Sequence, residues 1–83
     1  MSENEIIAIV DEIIAEIDKE RPPELRGEPI NWADLRCVEA KRFLDGSWLC
    51  RIEEAGPECF VFRRMIEKRL SARGILAEIV TEW

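Results

Sequence analysis

The sequence predicts an α+β fold of order αββαβ. The expected form is a two-layer sandwich, a three-stranded antiparallel sheet with two helices on one face. Three observations carry that expectation. Residues 6–17 hold seven aliphatic side chains at helical spacing, and residues 35–53 alternate about Asp45-Gly46. A second helical stripe, from Cys59 to Leu70, then leads into an alternating segment from Ile75 to Trp83. Eighty-three residues make one domain, 1–83, divided into a helix (1–20), a proline-rich connector (21–34) and a ββαβ core (35–83).

Ser2-Glu3-Asn4-Glu5 reads as a capping box, with Ser2 as N-cap and Glu5 reaching back to it. Behind it Ile6, Ile7, Ile9, Val10, Ile13, Ile14 and Ile17 fall within about 160° of helical arc. Arg21-Pro22-Pro23 stops the helix. Its many β-branched residues give poor intrinsic helicity, so packing must hold it, against the core or in self-association.

Residues 21–34 carry three prolines and one glycine and show no period. This is an extended connector, long for a compact domain, with Trp32 as its expected anchor. One place for it is across the open face of the sheet.

The hairpin length follows from its faces. A two-residue loop would set Glu39 and Lys41 on the face of Trp48 and Ile52. A three-residue loop, Leu44-Asp45-Gly46 with Gly46 left-handed, instead aligns Val38, Ala40 and Arg42 with Ile52, Cys50 and Trp48. Glu39 then lies across from Arg51 on the other face. The second register separates apolar from polar better.

Gly56 reads as the N-cap of the second helix, with Pro57 first inside it and Gly74 closing it. Two apolar stripes suggest two neighbours, the sheet and the first helix: Cys59, Phe62, Ile66 and Leu70, and beside them Val61, Met65 and Ala72. The third strand runs to Trp83, and a right-handed crossover allows it to sit beside the first strand.

Composition narrows the functions. No apolar run approaches the roughly 20 residues a membrane span needs. Met1 is followed by Ser-Glu-Asn-Glu, where a signal peptide needs basic and then apolar residues, so a cytoplasmic location is expected. Of the net charge of −6, residues 1–35 carry −7 and residues 36–83 carry +1, which makes nucleic acid an unfavourable partner. Arg63, Arg64 and Lys68 lie together on the second helix, but Glu67 interrupts them, and Phe43 alone offers an aromatic platform on the open sheet.

Cys37, Cys50 and Cys59 match no paired metal-ligand spacing, and the chain has no histidine. Cys59 falls in the first helical turn, where the dipole favours a thiolate, but Glu53, Glu54 and Glu58 oppose it. Cys50 faces the core and Cys37 the opposite face. Glu53 and Glu54 are strand neighbours on opposite faces and cannot flank one substrate atom. With no nucleophile elbow or phosphate loop either, the expectation is a non-catalytic protein-interaction or regulatory module without a cofactor. Its partner is another protein or a second copy, and its surface is Phe43, Leu49, Leu76, Val80 and Trp83 on the open sheet face. A thiol-dependent redox or metal-binding role is the alternative, and RNA binding stands third.

Overall fold

A computed structural model describes residues 1–56 and 58–81 of the chain. Its element order is α1 (Glu3–Glu20), β1 (Arg36–Arg42), β2 (Trp48–Glu53), α2 (Phe60–Ala72) and β3 (Ala77–Val80). The α+β class and the αββαβ order are those the sequence predicts. No helix among the described residues is long and apolar enough to cross a membrane.

The capping box opens α1. The N–H of Glu5 donates to Ser2 Oγ at 3.2 Å, and the N–H of Ser2 donates to Glu5 Oε1 at 3.3 Å. Ile6, Val10, Ile13, Ile14 and Ile17 are buried against the rest of the domain. The aliphatic stripe is therefore core, which supplies the packing its β-branched residues need. Arg21 ends the helix in the left-handed region, φ 46°, just before Pro22.

The hairpin has the three-residue loop. Phe43 N–H donates to Ser47 O at 2.9 Å, Gly46 N–H donates to Phe43 O at 3.0 Å, and Gly46 takes φ +90°. Beyond the loop Arg42 opposes Trp48, Ala40 opposes Cys50, and Glu39 opposes Arg51. One step further the register slips between Cys37 and Glu39, and Cys37 opposes Ile52 where Val38 was expected. Val38 is the extra residue of a β-bulge, and everything before it changes face. Cys37 is accordingly in the core, not on the opposite face, and Val38 is only half-buried.

The sheet itself departs from the expectation. It is mixed, with strand order β1-β2-β3, and β3 runs parallel to β2, not antiparallel beside β1. A helical crossover returns the chain to the end of the sheet where β2 began, so β3 runs in the direction of β2. Sitting on β2 itself aligns Ala77 with Trp48 and Ile79 with Cys50, continuing the core row. β2 is also the more apolar of the first two strands, and its residues alternate buried and half-buried as a central strand requires.

The second helix starts later than Gly56. Its N-cap is Cys59, its first residue is Phe60, and the expected first position, Pro57, lies outside the described residues. Its end matches the expectation at Gly74, φ +80°. There Gly74 N–H donates to Ser71 O at 2.9 Å and Ile75 N–H to Leu70 O at 3.0 Å, with Ile75 and Leu70 both buried. This is a Schellman closure. Of its two apolar stripes, Phe62, Ile66 and Leu70 are fully buried, with Cys59 beneath the first turn. Val61 and Ala72 are exposed, and of the second stripe only Met65 packs, half-buried, against the core.

Charge takes over where that stripe was expected to meet α1. Arg69 binds Glu20 through two hydrogen bonds, at 2.9 and 2.7 Å, and lies 3.5 Å from Glu16. Arg73 reaches Glu16 at 3.0 Å and Glu12 at 3.7 Å. Glu12, Glu16 and Glu20 form one ridge of α1 at four-residue spacing, and Arg69 and Arg73 form its counterpart on α2. Hydrogen bonding to Arg69 holds the Glu20 carboxyl below the ordinary carboxylate range.

The connector lies on the helix side of the sheet, not across the open face. After a 3-10 turn at Pro23–Leu25, Ile30 bridges Ala55 just past β2, and Trp32 packs edge-on against Phe62 with ring centroids 5.4 Å apart. Arg21 stacks over the Trp32 ring at 4.7 Å. Trp32 anchors the connector as expected.

Candidate interaction surface

Period-two alternation decides what the two sheet faces carry. Cys37, Ala40, Trp48, Cys50, Ile52 and Ile79 are buried under the helices. The residues between them point the other way, where neither helix packs. Across that face Lys41, Leu49 and Glu78 form one row, and Glu39, Arg51 and Val80 form the next. Phe43 and Leu76 continue the pattern beside the loop, 46% and 69% exposed. Leu49 and Val80 are half-buried among their charged neighbours. Four of the five residues singled out from the sequence thus share this face, and the fifth, Trp83, lies outside the described residues.

The polar part of the face is internally organised. Arg51 pairs with Glu39 across the strands and with Glu53 along its own strand at 3.3 Å. Glu53 also takes Arg36 at 3.2 Å. These ion pairs, all partly solvated, add little stability, but they fix which charges the face presents.

Both edges of the sheet are engaged by carboxylates from the helices. The N–H of Cys37, on edge strand β1, donates to Asp11 Oδ1 of α1 at 2.7 Å. The N–H of Ile79, on edge strand β3, donates to Glu67 Oε2 of α2 at 2.8 Å. Each carboxylate occupies a donor that a further strand would need. A third carboxylate, Glu28 of the connector, accepts the N–H groups of Val61 at 3.0 Å and Phe62 at 3.0 Å, the first turn of α2. None of the three was singled out from the sequence. Their partners are backbone groups 12 to 34 positions away, and spacing carries no mark of that.

All three thiols are buried. Hydrogen bonding to Cys50 and burial push the Cys37 thiol up, and its Sγ donates to the Glu39 carbonyl at 3.6 Å. Burial and the charge of Glu28 push Cys59 up, and its Sγ donates to the Pro29 carbonyl at 3.6 Å. Thiols raised in this way are poor nucleophiles at neutral pH, while Cys50, lowered by its hydrogen bond with Cys37, is fully buried out of reach of solvent. Among the described residues no three His, Cys, Asp or Glu side chains are grouped as metal ligands.

The basic residues of α2 divide three ways. Arg69 and Arg73 face α1, Arg63 stacks over Phe60 at 4.9 Å, and Arg64 and Lys68 are exposed. No family model, curated protein or solved structure matches this chain.

Proposed function

We propose that this domain works by binding, and that the open face of its sheet is the surface it presents to another protein. The reading is carried by one arrangement: Phe43, Leu49, Leu76 and Val80 share a face that neither helix covers. Leaving large apolar side chains in water has a cost that a partner surface removes. The charged residues between them supply orientation, since a partner must match Lys41, Glu78 and the Arg51 cluster as well as the apolar spots. Strand addition at either edge is the less favoured mode, because Asp11 and Glu67 occupy edge donors.

The test is a pair of substitutions, Phe43→Asp and Val80→Asp. Both variants should keep the far-ultraviolet circular dichroism spectrum and a cooperative melt while losing association. If both unfold, the face is core and the binding reading falls.

A further inference from the structure

We infer that the partner of the open face is a second copy of this chain, packed face to face about a two-fold axis parallel to β2. The inference rests on the binding reading above and names its partner. An axis over β2 keeps each row at its own level and exchanges the two sides, so β1 of one copy lies over β3 of the other. Two of the three rows then match. Phe43 meets Leu76 of the second copy, Leu49 meets Leu49, and Lys41 meets Glu78. In the third row Arg51 meets its own counterpart at the axis, where Glu39 and Glu53 of the same chain already balance its charge, and Glu39 meets Val80, the one unmatched pair.

The other two-fold, perpendicular to the strands, reverses the rows. It sets Leu49 against Arg51 and separates Phe43 from Leu76, so apolar surface meets charge. The first arrangement matches two rows of three and keeps Phe43 on Leu76, so charge and apolar matching favour it. Facing sheets pack about 10 Å apart at about −30°, which keeps these pairs within side-chain reach. Three strands make a small surface, at the low end of interface sizes, below about 1,200 Å² in total. The expected affinity is accordingly in the micromolar range, roughly 1–100 μM.

Charge reversal tests the pairing. Lys41→Glu gives each copy two acidic groups at the paired positions, and Glu78→Lys gives each two basic ones. Each variant alone should dimerise at least about tenfold more weakly than the parent chain. Mixed in equal amounts, the two variants set an acidic group against a basic one at both cross pairs. The mixture should form a heterodimer within about threefold of the parent affinity. Native mass spectrometry with one variant heavy-nitrogen labelled counts the species, and sedimentation gives the constants.

A parent chain that stays monomeric at about 200 μM, some hundredfold above the tighter affinities expected here, overturns the inference. So does a dimer that both charge reversals leave intact, because its contacts lie elsewhere. The binding reading fails separately, through unfolding of Phe43→Asp and Val80→Asp. A folded monomer would leave the face to a different protein and exclude only the second copy.

Discussion

Glu67 accepts the backbone N–H of Ile79 at 2.8 Å, so a side chain of α2 fastens the edge strand that follows it. Asp11 does the same for β1 at Cys37, at 2.7 Å. Each contact ties a helix to the strand it packs over and occupies an edge donor in the same stroke. The two helices thus fix both the layering and the limits of the sheet.

Glu67→Ala should remove a charge-assisted hydrogen bond from a part-buried amide, a loss of about 1–2 kcal/mol. Glu67→Gln keeps an acceptor oxygen and should lose less than half of that. Urea titration measures both. The alanine variant should also expose the Ile79 amide to exchange, and equal exchange in both variants would remove Glu67 from this role.

Glu28→Ala should destabilise by about 1–2 kcal/mol, the ordinary worth of a helix N-cap. Cys59 at the cap position makes no side-chain hydrogen bond to the helix, so nothing local replaces the lost carboxylate. The amides of Val61 and Phe62 should lose protection first. A uniform loss of protection across α2 would show instead that Glu28 acts on the whole helix.

How much of this was legible in the sequence depends on the range of each interaction. The capping box at Ser2 and Glu5, the left-handed loop glycine Gly46 and the closure at Gly74 are local, and sequence patterning found each. Face alternation placed Phe43, Leu49, Leu76 and Val80 together for the same reason. The bulge at Val38 was not legible: valine is an ordinary strand residue, and no glycine or proline marks the slip. Nor was the start of α2, because its cap arrives from Glu28, 33 residues before Val61. The neighbour of β3 was missed although a signal existed. WLCRIE is richer in apolar residues than RCVEAKR, and the more apolar strand belongs in the middle.

Buried thiols make stability depend on alkaline pH. In the unfolded chain a thiol ionises at about pH 8.5, whereas burial holds Cys59 above the ordinary thiol value. Cys37 is raised and Cys50 lowered by the hydrogen bond they share, so their contributions oppose each other. A raised folded value means that the unfolded state loses its proton first. The contribution of Cys59 is therefore intact below about pH 8.5 and falls as pH rises, by up to about 1.4 kcal/mol per pH unit. The urea midpoint should be level from about pH 6 to 8 and decline above. Cys59→Ala should flatten that decline, and a midpoint unchanged at about pH 10 would contradict the assigned burial of Cys59.

Two backbone positions with positive φ should respond to substitution with opposite signs. Glu54 takes φ +65° at the end of β2, with an exposed side chain. A non-glycine residue there is strained by about 1–2 kcal/mol, and asparagine tolerates the region better. Glu54→Asn should stabilise by about 0.5 kcal/mol. Glu54→Gly should gain less, since the added freedom of the unfolded chain offsets about 0.4–1 kcal/mol of the relief. Gly74 is the converse. An added Cβ would meet no atom within 4 Å, yet φ is +80°, so Gly74→Ala should lose about 1 kcal/mol through backbone strain alone. Thermal melts of the three variants give the order Glu54→Asn, Glu54→Gly, Gly74→Ala from most to least stable. Gly74→Ala melting above the parent chain would mean that the Schellman closure does not hold the end of α2.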